Sequence, residues 1–344
     1  MLTEIKVLIS KNKIMEFKFI IGLDMAKENF ELVMLEDGTT KLQMQVDNNR
    51  KSIAAAFKKN KIDLQKTLIC MEHTGIYNNH LLSFLYQQKA KVWLENPVHI
   101  KRSTGLVRGK NDRIDAMRVA TFAHVHQSQA KLWKPRREVI ENLKVLMGQR
   151  SRLLKAKKAL ELPIAEAKDF CLKSQIKLMK DSCRATLRAI KKDIQQVNQQ
   201  ISKFIKADER LKELFAFVTS VPHVGTIVGT AIIVSTNEFK TISNPRKFAC
   251  HCGIAPFEHT SGTSIRGKTR VSHMADKELK KLLHLSALGL TSRPGEIRGY
   301  FERKVAEGKN KMLVLNAIRN KIIHRVFACV RDKKIFVKKD LTLV

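Results

Sequence analysis

Four carboxylates in this sequence stand where they could share one cation. Asp112 and Asp115, in "KNDRIDAMRVA", are three residues apart, a spacing that puts both on one face of a helix, where like charges repel. A divalent cation is the simplest offset. Asp24 ends the strand-like "IIGLD" and Glu72 ends "LICME". Carboxylates at the ends of neighbouring strands, joined by two from one helix face, can form an oxygen-rich cage suited to Mg²⁺ or Mn²⁺. Such cages commonly hold two ions about 4 Å apart, one polarising the attacking oxygen and one stabilising the leaving oxygen in phosphodiester displacement. Singly, each acid has a structural reading: a helix cap, or an ion pair with Arg113 or Arg118. Taken together, the four favour a metal site.

The elements that must position these acids follow from periodicity. "FKFIIGLDMAKENFELVMLEDGTTKLQMQVDN" alternates apolar and polar residues and breaks at "AKEN" and "EDGTT", which predicts three strands joined by tight turns. A helix over "NRKSIAAAFKKN", the buried-type strand "TLICME", a helix from about Ile76 to Gln88, the strand "KVWLEN" and a helix from the acid pair to about Val125 follow. Three antiparallel strands and then alternating helices and strands predict an α/β domain with a mixed sheet. From about Lys134 the sequence turns helical and charged. Leu187, Ile190, Ile194, Val197, Ile201 and Phe204 or Ile205 recur at spacings of three and four, a coiled-coil seam. Ile140, Leu143, Met147 and Leu154 suggest a matching first arm, with Pro163 as the break between them. A plain helical bundle satisfies the same pattern.

Near Leu214 a third region begins. "SVPHVGTIVGTAIIV" has the pattern of a helix-hairpin-helix, whose Gly-containing turn offers backbone N–H groups to a phosphate. "GIAPFEHTSGTSIRGKTRVSH" reads as a Gly- and Ser-rich loop, and "LNAIRNKIIHRVFACVRDKK" as an amphipathic basic helix whose positive face is either solvated or, as the charge of the whole chain favours, a polyanion surface.

Charge identifies the class of partner. The 344 residues carry 65 Lys and Arg against 32 acids, a formal net charge of +33, and a pI near 10.1, beyond what solubility requires. A polyanion is the natural ligand. No apolar run is long enough to span a membrane and no charged-then-apolar leader is present, so a cytoplasmic protein without a membrane partner is expected. Six cysteines without framework spacing fit a reducing compartment. "CHC" at 250–252, with His259 and His273, is conceivable as a zinc site, but paired CxxC spacing is missing and ordinary packing is favoured.

The order of these motifs, with Asp on the first strand, Glu on the fourth and a closing Asp pair on a helix, resembles the RuvC and ribonuclease H nuclease fold. "GLD", "MEHTG", "KNDRIDA", "VPHVGTIVGTAI" and "GIAPFEHTSG" resemble the successive motifs of the DEDD transposases of insertion sequences, the family that includes the pilin-gene invertase. The resemblance covers about residues 18–335. It implies an N-terminal extension (1–17), a RuvC-like DEDD domain (18–130), a helical coiled-coil arm (131–213), a mainly α C-terminal transposase domain with a helix-hairpin-helix-like motif (214–335) and a tail (336–344). It makes Asp24, Glu72, Asp112 and Asp115 the metal-binding tetrad and Ser261, in "TSG", the covalent nucleophile. It further implies DNA partners (element ends and target), a structured non-coding guide RNA, and a dimer or tetramer in which acids and serine can come from different protomers.

From the residues alone, Ser264, Thr260 and Thr263 have similar chemistry to Ser261, and only the "SG" match singles it out. A phosphate-binding or turn role is the alternative. Arg102, Arg108, Lys110, Arg266, Lys268 and Arg270 are the candidate backbone contacts. The chain departs from the family pattern at His223, where Gly is frequent, and in "SHMADKELKKLL", which lacks the usual Gly-Asn pair. Other readings are an invertase of the same family, a hydrolytic RuvC-like junction nuclease that needs no Ser261, and a basic architectural protein indifferent to its acids. A tyrosine recombinase built on Tyr300 would leave the acids unexplained.

Overall fold

Five strands build the sheet of the N-terminal part: β1 (Phe19–Met25), β2 (Asn29–Glu36), β3 (Thr39–Asp47), β4 (Thr67–Glu72) and β5 (Lys91–Glu95), in spatial order β3-β2-β1-β4-β5. The computed structural model describes residues 17–103, 105, 111–261, 265–271 and 274–337. β1 pairs antiparallel with β2 and parallel with β4, and β4 parallel with β5. The β2–β3 turn uses Asp37 and Gly38, both at positive φ (48° and 80°), as a two-residue hairpin requires.

Strand alternation sorts the side chains onto two faces. Ile21, Leu23, Phe30, Leu32, Ile69 and Met71 form one core with Ile53 and Phe57 of α1 (Arg50–Lys59) and Leu81 and Leu85 of α2 (Asn79–Gln87). Ile20, Val33, Leu35, Leu68, Cys70 and Trp93 form the other, beside Ile100 of α3 (Pro97–Ser103) and Ala116, Val119, Ala120 and Ala123 of α4 (Asp112–His126). Each fully buried side chain of this size contributes about 1.5–3 kcal/mol. The expected mixed α/β sheet domain is present, followed by helical structure.

The chain divides between Pro135 and Arg136 into two compact units. The second begins with α5 (Glu138–Glu166) and α6 (Lys173–Ala207), which pack antiparallel. Arg150 donates to Asn198, and Glu161 pairs with Lys191 nearer the tip. The expected break at Pro163 does not occur there. α5 continues through Pro163 to Glu166, and the turn falls at 167–172. Pro163 gives up the N–H bond to the Ala159 carbonyl and its ring crowds that carbonyl, and only three further residues of helix follow before the turn. Of the predicted seam, Ile140, Leu143, Val197, Ile201 and Ile205 are buried at the base, while Leu154, Leu187 and Ile190 towards the tip are half-buried.

Both ends of this hairpin are clamped at its base. Arg137, just before α5, donates to Asp208 at 2.7 and 3.1 Å and to Glu238 at 2.7 and 3.1 Å. Asp208 also caps α7 (Glu209–Thr219) through the Leu211 N–H. The Glu238 side chain is fully buried and is further paired with Lys240 and Arg210.

α8 (Thr226–Ser235), α9 (Pro245–His251), α10 (Lys277–Thr291), α11 (Glu296–Ala306) and α12 (Lys311–Asp332) complete the second unit. α12 is amphipathic, as expected, and its apolar face is central to the core of this unit. Val314, Leu315, Ile318, Ile322, Ile323, Val326 and Phe327 are buried, and Lys321 and Arg325 pair with Glu296. Cys252 also packs in this core. The Gly- and Ser-rich segment read as a loop contains a two-stranded ladder, β6 (Pro256–Ser261) with β7 (Ile265–Val271). Thr260, Ile265, Thr269 and Val271 supply β-branched residues that favour extended pairing. Among the described residues no helix is long and apolar enough to cross a membrane.

Candidate active site

The C-terminal ends of β1, β4 and β5 point the same way, the edge at which open α/β sheets bind ligands. Asp24 sits near the end of β1, on the face that carries Ile20 and Gly22. Glu72 ends β4 one residue beyond the Leu23–Met71 pair, on the face of Leu68 and Cys70. Glu31 lies directly opposite Asp24 on β2, and Glu95 opposite Glu72 on β5. Glu31, Asp24, Glu72 and Glu95 thus form one row of carboxylates across the sheet.

α4 covers this face because Gly22 lets it. A Cβ at Gly22 would meet the Ala120 amide nitrogen at 2.2 Å and the Ala116 carbonyl oxygen at 2.5 Å. Asn111 caps the helix by accepting from the Ile114 N–H at 2.8 Å, so neither Asp112 nor Asp115 is the cap. Both lie in the first turn, where the helix dipole favours negative charge. Asp115 also pairs with Arg118. Part of the repulsion expected between the two is therefore offset without a cation.

The acids feel one another. Burial first, then the charges of Asp24 and Asp115, push the Glu72 carboxyl above its ordinary range. Burial, then Glu95 and Glu72, raise the Cys70 thiol beneath them. Asp24, Glu72 and Asp115 are brought together in this electrostatic sense, and Asp112 stands exposed at the first residue of the helix. Among the described residues no three His, Cys, Asp or Glu side chains stand together as a ready-made metal cage.

Sequence reasoning missed Glu31 and Glu95. Glu95 accepts from Trp93 Nε1 at 3.1 Å and the Asn96 N–H at 2.7 Å, and Oε1 lies 3.0 Å from His99 Nδ1. Glu31 is 5% exposed, and its Oε2 is buried with no hydrogen-bond partner. A charged residue inside the otherwise apolar "NFELVML" was the available signal.

The remaining candidates lie elsewhere. Arg102 is exposed in the last turn of α3, and Arg270 is exposed on β7 opposite Phe257. Arg108 and Lys110 lie outside the described residues. Ser261 is the last residue of β6, paired with Ile265, at the mouth of the β6–β7 turn. The side chains of Ser261, Arg266 and Lys268 lie outside the described part, as do Thr263 and Ser264. The turn from α7 to α8 holds His223 at φ +62°, the left-handed region that favours glycine, and Gly225 precedes α8 at a point where an added Cβ would meet open space.

Comparison with known proteins places these elements in one family. Residues 21–165 match the model of a transposase family of the DEDD, IS110 type, and residues 216–302 match the model described as the transposase IS116/IS110/IS902 family. The chain is similar to the pilin gene-inverting protein of Moraxella bovis, 23% identical over 329 residues covering 94% of this chain and 98% of that protein. That of Moraxella lacunata is likewise 23% identical, over 328 residues and the same shares. An uncharacterized 43.6 kDa protein of insertion element IS110 from Streptomyces coelicolor is 26% identical over 151 residues, 44% of this chain and 36% of that one. The matched stretches include the acid row, the helix over it and the strand that ends at Ser261, and the chain belongs to the IS116/IS110/IS902 family of transposases.

Proposed function

We propose that this transposase cuts and rejoins DNA strands at insertion-element ends through a covalent phosphoserine at Ser261, with Asp24, Glu72, Asp112 and Asp115 holding Mg²⁺ or Mn²⁺. The observation that carries the reading is the gathering of Asp24, Glu72 and Asp115 at one sheet edge, with Glu72 destabilised in its charged form by burial first and then by the charges of the other two. Hard carboxylate oxygens suit Mg²⁺, and a divalent cation would relieve that repulsion. Carboxylate oxygens are the right donor type for the ion, but among the described residues no three acids stand close enough together to hold one, so binding would draw the acids together. The sheet order, with β2 antiparallel and α4 laid over β1, supports a RuvC/ribonuclease-H-like reading of the N-terminal unit.

When bound, the ion supplies charge stabilisation to the phosphoryl oxygens. In the step assigned to Ser261, its Oγ attacks the scissile phosphorus, the Oγ–P bond forms and the P–O bond to deoxyribose breaks. The serine proton leaves to a carboxylate or water, and the cleaved strand departs as a free hydroxyl. Attack of a strand hydroxyl on the phosphoserine reverses the exchange, so bond energy is conserved without an external source. A non-coding RNA of the element would choose sites by base pairing, leaving the protein to read backbone and shape. The α5–α6 hairpin is the proposed coiled-coil contact between copies, supported by its half-buried apolar seam.

The test is strand cleavage of element-end DNA with its neighbouring transcript and Mg²⁺, followed by denaturing electrophoresis for protein-linked DNA. Wild type is expected to give an adduct that Ser261→Ala and Asp112→Ala both lose. Cleavage that persists in Ser261→Ala without an adduct, but fails in Asp112→Ala, would make the protein a hydrolytic nuclease. Inversion of a resident segment, which the Moraxella relatives are named for, would be carried by the same proposed strand exchange, and a substrate with two inverted ends distinguishes it.

A further inference from the structure

Among the described residues the second unit buries two charges, and one of them, Glu238, meets Arg137, Lys240 and Arg210. Arg319, on α12, is the other. It is 3% exposed, its Nε is buried without a hydrogen-bond partner, and burial alone accounts for the depression of its guanidinium. α10 packs against α12 and presents Lys280 and His284, four residues apart on one face. Burial and the charge of Arg319 depress both, and His284 Nδ1 is likewise buried without a partner. The acids at the start of α10 are engaged elsewhere, Asp276 as its cap and Glu278 with Lys155. Three cationic or donor groups therefore converge with no anion among the described residues. An uncompensated buried cation is strongly unfavourable unless a partner completes it.

We infer that Arg319, Lys280 and His284 form a binding site for a phosphate oxyanion, occupied by a backbone phosphate of bound nucleic acid. The guanidinium offers paired donors in a fixed fork that suits a phosphate, and the chain's net charge of +33 already selects polyanions. Asn316, one turn before Arg319, donates to the Ile254 carbonyl at 2.7 Å. That anchors the chain two residues before β6, the strand that ends at Ser261. The site therefore adjoins the root of the hairpin and would hold a phosphate of the strand that hairpin engages. The nucleic-acid source rests on the function proposed above, whereas the oxyanion site does not.

The experiment uses the full chain. Thermal unfolding is followed in inorganic phosphate against sodium chloride at matched ionic strength, and affinity for an element-end DNA duplex is measured across a salt series. Arg319→Met is compared with wild type. Phosphate is expected to raise the wild-type midpoint and to leave that of Arg319→Met unmoved, while the variant's midpoint in chloride exceeds the wild type's. DNA affinity falls in the variant, and its salt slope drops by about 1, the loss of one phosphate contact. If the phosphate effect is lost but DNA affinity and slope are unchanged, the site takes free oxyanions and the nucleic-acid source is overturned. If both responses match wild type, the site itself is overturned. Should Arg319→Met fail to fold, the half-exposed pair Lys280→Met with His284→Gln decides by the same readings. A protein inactive in strand cleavage still gives the phosphate reading, so the two failures are separable.

Discussion

Gly22 and Ala120 approach so closely that a methyl group on Gly22 would lie 2.2 Å from the Ala120 amide nitrogen. The obstacle is backbone, which cannot swing aside as a side-chain end would. This contact seats α4 on the sheet, with Asp115 near enough for its charge to bear on Glu72. Gly22→Ala is expected to destabilise the protein by about 1–3 kcal/mol through overpacking. Its cleavage rate should fall by more than the folded fraction does. Urea unfolding and cleavage measured on the same preparations check both, and a variant as stable as wild type would contradict the close approach.

Glu31 buries a carboxylate oxygen without a partner beside Asp24. Glu31→Gln keeps the shape and removes the charge, and is expected to raise stability by about 1 kcal/mol in metal-free buffer. The gain should shrink when Mg²⁺ is added, because the cation offsets the same repulsion. Thermal unfolding with chelator and with Mg²⁺ checks this.

Arg137 holds the base of the hairpin. Asp208, paired with Arg137, lies below its ordinary range, and in Glu238 the pairing with Arg137 and Lys240 more than offsets burial. Acids depressed on folding add stability above their unfolded pKa and lose it as pH falls through the folded value. Arg137→Met is expected to lose about 2–3 kcal/mol at neutral pH, somewhat less than full burial would give, because the Arg137 side chain keeps 34% of its exposure. The variant's stability should also fall less steeply between neutral pH and the acid range than the wild type's. Chemical denaturation across that pH range measures both effects.

His223 occupies a left-handed backbone position, and its ring lies against Gly289, where a Cβ would meet His223 Nδ1 at 2.4 Å. Gly289→Ala is expected to destabilise wild type by about 1–2 kcal/mol. In a His223→Gly background, which removes the ring and suits the backbone, the same change should have little effect. A double-mutant cycle tests this, and additivity of the two changes would show that ring and glycine are not coupled.

Much of the site's scaffold is legible in residue order. The alternation of "FIIGLDM", the Asp-Gly turn and the "TLICME" run identify strands, and their last residues identify Asp24 and Glu72 as acids at strand ends. The helix start is legible at the acid pair, although its cap is Asn111 and not one of the acids. The family motifs are local as well, which is why they point to a transposase without coordinates. Glu31 and Glu95 were not legible, because joining the row depends on which residue each strand sets opposite which. Pro163 marked the helix end only to within a few residues, because the helix carries the proline inside its last turn.

By itself, then, the sequence determined the order of the sheet's five strands, the strong positive charge and the acids that end strands and start a helix, because periodicity and composition are properties of neighbouring residues. Only the tertiary structure decided that Gly22 seats α4 against the sheet, that Asp24 and Asp115 bear on Glu72, and that α12 is a core helix with Arg319 buried and unpaired. Periodicity shows which residues share a face. What covers that face, and whether a buried charge finds a partner there, depends on segments distant in sequence that meet when the chain packs.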